Sequence, residues 1–469
     1  MTFEGMNPAA DFRQRWVHLV GIGGMHMSAI AQLLLAEGAR VSGSDLLLTP
    51  LTDRLGAMGA TVHAGHDAAN LGAATLVVTT AAAKSDNVEL IEAARRGVPV
   101  IPRHEMVARL MEGRQAIAIA GTHGKTTTSS MIAVTLKRAG FDPAYMLGGE
   151  CLDLGGNAAA GSGRQIVVEA DEYAGAFLAY HPEIAVVTNI ETDHLDYFGS
   201  ESCIRQAFGH FARNVPAGGL IVACADDPAA VEVLEQNREQ VRAEVQWYGA
   251  AHQADWRISD ITLRGGPLTK FSLDSRSGRH GPLAIRLVGQ HNVSNAAAAF
   301  AVAHHLGLTD KAIADAFITF RGARRRFELA GEEGGVTVID DYAHHPTEIE
   351  ATLAAARARY PHRRLVVLFQ PHTFSRTQYL LERFKQCFAQ ADALYLLQTF
   401  AARETPNAGL DAYALARALP QPPVAVLDSL VDAVAMLGRE LRAGDVCLTM
   451  GAGDVTNAGR PLVEELRRR

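Results

Sequence analysis

A chain of 469 residues is longer than one ordinary hydrophobic core supports, so two or three domains are expected. With 48% hydrophobic residues, 20% charged residues and a net charge of −7, the composition is that of a globular protein and argues against nucleic acid as the main partner. No apolar run approaches the roughly 18 residues of a membrane span, and Met1 to Pro8 lack a basic start and apolar core, so neither a membrane segment nor a signal peptide is expected.

Trp16-Val-His-Leu-Val20 reads as a short apolar strand running into Gly21-Ile-Gly23-Gly24. A helix is expected from Met27 to Glu37, closed by Gly38, and a second strand from Arg40 brings Ser44 and Asp45 to its end. Strand, glycine turn, helix and an acid about twenty positions on is the layout of a dinucleotide-type βαβ unit. The third glycine position of Gly-x-Gly-x-x-Gly holds His26, so a nicotinamide-type site and a purely structural turn both stay open. Leu76–Ala81, which contains Thr80, and Val98–Arg103 read as further strands lining the same crevice.

Ala116-Ile-Ala-Ile-Ala120 is a buried-strand pattern that stops at Gly121-Thr122-His123-Gly124-Lys125-Thr126-Thr127. Helix periodicity then continues through Ile132 and Leu136 to Gly140. Glycines let backbone N–H groups turn toward an anion, and the helix N-terminus adds its dipole. Lys125 supplies a charge for β/γ-phosphate oxygens and Thr126 a hydroxyl for Mg²⁺, which together predict a nucleoside triphosphate site. The loop is shorter than the Walker pattern, because Ile119 stands where the first Walker glycine belongs. Leu147-Gly148-Gly149-Glu150 is expected to be a turn close to a ligand. Strand Gln165–Val168 ends in Glu169, Asp171 and Glu172, which suit Mg²⁺. Strand Ile184–Ile190 ends in Glu191, Asp193 and His194, candidates for metal or acid–base work. In Gly289-Gln-His291-Asn292-Val-Ser-Asn295, Asn292 either caps the alanine-rich helix that follows or meets adenine.

Arg321 to Glu328 is a basic run at a domain boundary. Beyond it, strands Val336–Ile339, Leu365–Phe369 and Val446–Met450 each end in a polar cluster, which predicts a third Rossmann-like layer with a pocket suited to a small zwitterion. The five cysteines, Cys151, Cys203, Cys224, Cys387 and Cys447, lack Cys-x-x-Cys spacing and read as free thiols of a cytoplasmic protein.

The blocks Gly-Thr-His-Gly-Lys-Thr-Thr, Thr-Asn-Ile-Glu-Thr-Asp-His-Leu-Asp, Gly-x-His-Asn-x-x-Asn, Asp-Asp-Tyr-Ala-His-His-Pro-Thr-Glu and Gln-Pro-His-Thr-Phe-Ser-Arg resemble, in order and over essentially the whole chain, the Mur ligase family of peptidoglycan synthesis. The resemblance implies an α/β fold in three domains: 1–104, Rossmann-like and UDP-binding; 105–320, a P-loop ATPase-type parallel-sheet domain; and 321–469, Rossmann-like and amino-acid-binding. It implies ATP and two Mg²⁺ as cofactors, small-molecule substrates, and a monomer or weak homodimer. Gly21, Gly23, Gly24, Ser44, Asp45, Thr80, Arg103, His123 and Gly149 would then serve the UDP substrate, with Arg103 either near uridine or in the linker. Gly121, Thr122, His123, Gly124, Lys125, Thr126, Thr127, Asn292, Asn295, Arg326 and Asp340 would serve ATP. Thr126, Glu169 and His194 would hold metal; Lys125, Glu169, His194 and Arg326 are the implied catalytic set; and Tyr342, His344, His372 and Arg376 form the implied amino-acid site. His26 stands where members usually have glycine, and Arg205 where several carry a carbamylated lysine. The last two blocks fit the branch that adds L-alanine to UDP-N-acetylmuramate. A recycling branch that adds a tripeptide is the alternative, and a nicotinamide oxidoreductase the remote one.

Overall fold

The computed structural model describes residues 12–263, 267–402, 404–405, 409–420 and 422–469. The Met1 to Pro8 stretch lies outside them, as does the side chain of Asp196. Strands that are apolar at nearly every position are buried on both faces: Ile184–Val187, Leu220–Cys224, Leu365–Phe369 and Val446–Met450, the last with Thr449 as its one polar residue, have no exposed residue. Such strands belong in parallel sheets covered by helices on both sides.

Among the described residues three sheets form. The first is all parallel, in the spatial order Thr61–Ala64, Arg40–Asp45, Trp16–Val20, Leu76–Thr79, Val100–Pro102. The order reverses direction at Trp16–Val20, which places a crevice at its carboxyl end. The central sheet has ten strands, with Gln115–Ala120 between Ile184–Val187 and Gln165–Glu169. These three are mutually parallel, and Ala144–Cys151 follows Gln165–Glu169 in the same direction. The third sheet runs Glu328–Glu333, Val336–Asp341, Val446–Met450, Leu365–Phe369, Ala393–Leu397, Val424–Leu427. Its first strand is antiparallel and bulged between Leu329 and Gly331, an edge that the alternation of the sequence does not announce.

The helix Lys125–Arg138 buries Met131, Ile132 and Leu136 against this central layer, while Ile117 and Ile119 are buried from the strand before it. Each such side chain contributes roughly 1.5–3 kcal/mol on burial, which holds the intervening loop between two fixed elements. Contacts divide the chain into two compact units: Met1–Ser259 with Ser272–Leu283 and Ser294–Phe320, and Asp260–Phe271 with Ala284–Val293 and Arg321–Arg469. Among the described residues no helix is long and apolar enough to cross a membrane.

Candidate active site

Gln115–Ala120 ends at Gly121, whose φ is +133° and where a Cβ would stand 2.0 Å from Thr188 Oγ1, so only glycine fits. The end of the neighbouring strand grips the loop. Asn189 accepts from Thr122 N–H through its carbonyl at 3.1 Å and from His123 N–H through Oδ1 at 2.8 Å. Thr188 Oγ1 donates to the His123 carbonyl at 2.6 Å. Asn295 lies directly over Gly124, where a Cβ would be 2.6 Å from its Oδ1.

The three carboxylates after Gln165–Glu169 have three different partners. Glu169 Oε2 accepts from the Thr126 hydroxyl and from Gly148 N–H, both at 2.9 Å. Glu172 Oε2 is 2.8 Å from Lys125 Nζ, which also donates to the carbonyls of Gly121 and Thr122. Asp171 Oδ2 is 2.9 Å from Arg103 Nη2. Burial works to lower the Lys125 pKa, but Glu172, Glu169 and Asp171 outweigh it and hold the ammonium charged. Burial likewise pushes the Asp171 carboxyl up, yet His26, Arg103 and Lys125 prevail and bring it down to about 2. Glu172 goes the other way, raised by burial.

Two local expectations change. Leu147–Glu150 is not a turn: it lies inside the strand Ala144–Cys151. The glycines there let the backbone press against Glu169, since a Cβ on Gly148 would be 2.4 Å from its oxygens. A Cβ on Gly149 would be 3.3 Å from Thr126 Cγ2, beside the same hydroxyl. Arg103 opens the helix Arg103–Met111 and does not end a strand, since the strand Val100–Pro102 stops one residue earlier. Asn292 sits inside the helix Gln290–His305, its Nδ2 donating to the Val288 carbonyl at 2.8 Å, so it does not cap that helix.

His194 has φ +55° and caps the short helix Leu195–Phe198. Its ring meets Tyr173 edge-on at 5.0 Å, and its backbone N–H donates to Asp193 Oδ1 at 2.8 Å. His123 Nε2 lies 3.6 Å from Glu191. Arg205 faces outward and pairs with Glu201 at 2.6 Å and with Glu232, so its guanidinium is engaged on the helix surface.

In the first sheet, Asp45 Oδ2 accepts from Gly23 N–H at 2.9 Å, bracing the Gly21–Gly24 turn. Thr80 packs against Gly21, where a Cβ would be 2.8 Å from its methyl. Ser44 Oγ donates to buried Glu89 at 2.6 Å, and Glu89 also meets Asn70 at 2.8 Å and the ring of His66 at 3.2 Å. That Ser44 is tied to an internal acid was not legible, because Glu89 reads as an ordinary helix residue. Helix Met25–Ala36 follows the turn and carries His26, whose Nε2 is buried with no hydrogen-bond partner among the described residues. Burial first, then Arg103, lowers the His26 pKa.

In the third sheet the four expected amino-acid residues come together. His344 Nδ1 lies 3.0 Å from the Tyr342 carbonyl and 3.2 Å from Glu348, and its ring is 5.8 Å from that of His372. His372 Nδ1 lies 2.9 Å from Arg376 Nη1, and its ring stacks on Phe400 at 5.7 Å. Arg326 stands beside this group, 5.2 Å from the Tyr342 ring and 3.5 Å from Glu348. Asp340 turns inward, accepting from Thr449 at 3.0 Å and Thr456 at 2.8 Å. Glu348 and Phe400 were not singled out from sequence; Glu348 signals itself only as the fourth-position acid of a capping box.

Residues 16–115 match the Mur ligase family catalytic domain, 119–303 the Mur ligase middle domain, and 325–453 the Mur ligase glutamate ligase domain. The chain belongs to the Mur ligase family. The ligase is 45% identical over 458 residues to the UDP-N-acetylmuramate–L-alanine ligase of Syntrophotalea carbinolica, covering 97% of this chain and 99% of the relative. It is 44% identical to the enzyme of the same name from Myxococcus xanthus, covering 96% and 95%. Its structure resembles the UDP-N-acetylmuramate–alanine ligase of Thermotoga maritima with a TM-score of 0.82 at 28% identity, covering 97% and 99%. A murein peptide ligase from Psychrobacter arcticus gives a TM-score of 0.72 at 27% identity over the same shares.

Proposed function

We infer that the protein is an ATP-dependent ligase that adds L-alanine to the lactyl carboxylate of UDP-N-acetylmuramate through an acyl phosphate, in the cytoplasm. What carries the reading is identity of about 45% along nearly the whole length to curated enzymes of that activity. The tripeptide-adding alternative has weaker support, the lower of the two TM-scores.

The division of labour follows the three sheets: residues 1–104 take the UDP substrate, 105–320 ATP, and 321–469 the amino acid. A carboxylate is a poor electrophile, so its oxygen first attacks the γ-phosphorus of ATP, releasing ADP and leaving an acyl phosphate. Lys125 meets the charge that builds on the transferring phosphoryl group, and Thr122 to Thr127 cradle it with Asn295 above Gly124. Thr126 and Glu169 offer paired hard oxygens, a donor set that suits Mg²⁺, with His194 a further ligand and two ions the expected complement. Mg²⁺ held there would screen phosphate charge. The amine of L-alanine then attacks the acyl carbon, a tetrahedral intermediate forms, and phosphate leaves. Tyr342, His344, His372 and Arg376 bind and orient the amino acid, with Arg376 taking its carboxylate. Arg326 reports domain closure.

Phosphate release with Mg-ATP and UDP-N-acetylmuramate, comparing L-alanine with L-Ala–D-Glu–diaminopimelate, tests the reading. Release that depends on L-alanine, with a product one residue heavier, is expected. Dependence on the tripeptide alone would overturn the assignment.

A further inference from the structure

Away from the ATP loop, three separate segments of the first unit bring two imidazoles and a carboxylate together. His280 stands in the strand Gly278–Ile285, His304 in the last turn of the helix Gln290–His305, and Asp310 at the first position of the helix Asp310–Phe317. One ligand-capable atom from each lies within 4.8 Å of the other two. We propose that His280, His304 and Asp310 form a binding site for a borderline divalent ion of the Zn²⁺ class, with water completing the coordination.

Four observations carry the proposal. His280 is buried, and its two ring nitrogens have different surroundings: Nε2 lies 2.9 Å from the Ser275 hydroxyl, and Nδ1 faces Asp310 Oδ2 at 2.7 Å. A hydroxyl that fixes one imidazole nitrogen while the other faces the ion is how ligating histidines are oriented. Asp310 is the solvent-facing member, its side chain 45% exposed at a helix start. It needs to retreat only by about half an ångström for an ion to sit between it and His280 at ordinary Zn–N and Zn–O lengths of about 2.0–2.2 Å. His304 makes ring contacts with Trp256 at 4.9 Å and Phe300 at 5.9 Å, and no hydrogen bond engages its imidazole among the described residues. Its position at the carboxyl end of its helix favours a cation. Two imidazoles and a carboxylate form a nitrogen-and-oxygen set that selects zinc-like ions over Mg²⁺, so the site is chemically distinct from the oxygen donors at Thr126 and Glu169.

A simple strand-to-helix hydrogen bond between His280 and Asp310 is the competing description, with His304 only packing its ring against Trp256, Phe300 and His280. Bound metal would instead tie three segments together, a clamp that supports the sheet edge without touching the reacting groups. Trp256, one of three tryptophans in the chain, lies 5.3 Å from His280 and reports on the site.

The test uses the full chain, stripped with chelator and kept in millimolar Mg²⁺ so that the ATP site does not compete. Zn²⁺ titration against a chromophoric chelator gives stoichiometry and affinity; Co²⁺ titration gives visible absorption and tryptophan quenching. The wild type is expected to bind one ion that H304Q and D310N bind at least about tenfold more weakly. The Co²⁺ quench should vanish in W256F while its Zn²⁺ stoichiometry persists. L-Alanine-dependent turnover in saturating Mg²⁺ should stay within about twofold in D310N. Equal Zn²⁺ affinity in wild type, H304Q and D310N would overturn the proposal. If circular dichroism shows H304Q misfolded, D310N, altered at a half-exposed position, decides alone.

Discussion

Two loops of this molecule share a topology and differ in chemistry. Gly21–Gly24 and Gly121–Gly124 each follow a buried strand and open a helix, at the switch region of a parallel sheet. In the first, an acid braces the turn: Asp45 accepts from Gly23, and behind it Ser44 and Glu89 form an internal network. In the second, the bracing comes from Thr188 and Asn189 on the next strand, which leaves Lys125 and Thr126 for carboxylates that face the loop. Under the proposed assignment, the same scaffold would hold a diphosphate at the first loop and support phosphoryl transfer at the second. Fold position identifies an anion site; the side chains that follow the glycines decide whether chemistry occurs there.

The largest expected effect separates the loops outright. K125A should lower L-alanine-dependent kcat by about 10³-fold, as loss of one preorganised electrostatic group does, with an unchanged circular dichroism spectrum. A loss under tenfold in steady-state assays would make Lys125 structural.

Next comes the network behind the first loop. Burial raises the Glu89 carboxyl, but the His18 ring 3.6 Å away and hydrogen bonds from Ser44 and Asn70 outweigh it and bring it to about 2. Because the folded value is depressed, the unfolded chain takes the proton first as pH falls. The stabilisation is therefore complete above about pH 4.5 and lost as pH drops toward 2. It amounts to about 3 kcal/mol, and E89Q should lose most of it in urea unfolding at pH 7 and flatten the acid limb. An acid limb of unchanged slope in E89Q would remove Glu89 from the account.

Asp45 should show a smaller effect confined to one substrate. D45A loosens the turn, raising KM for UDP-N-acetylmuramate about tenfold, near 1.4 kcal/mol, with KM for ATP within twofold. Equal change in both constants would merge the loops' roles. Arg205 should matter least: its exposed pairs with Glu201 and Glu232 contribute less than about 1 kcal/mol, so R205A should keep turnover and stability near those of the wild type. A severe loss of activity in R205A would place the guanidinium in the reaction.

Sequence made the second loop legible because strand, glycine pair, lysine and hydroxyls are contiguous. The polar clusters that hold Tyr342, His344, His372 and Arg376 were legible as the ends of apolar strands, whereas the amino-acid role of these four came only from the family resemblance. What stayed hidden were pairings across the chain: Asp171 with Arg103, Glu172 with Lys125 and Ser44 with Glu89 lie tens of positions apart with no periodic signal. The strand through Gly148 and Gly149 was read as a turn because two glycines ordinarily break a strand, whereas here they admit the Glu169 carboxylate. The antiparallel edge Glu328–Glu333 was obscured by its own glycine and charges.

The most direct test of the central contrast is a crossed titration. UDP-N-acetylmuramate and a non-hydrolysable Mg-ATP analogue are each titrated calorimetrically into wild type, K125A and D45A. K125A should lose affinity for the ATP analogue and bind the nucleotide sugar within twofold of wild type, and D45A should do the reverse. A variant that loses both ligands equally while remaining folded would contradict the assignment of the two loops to two different phosphates.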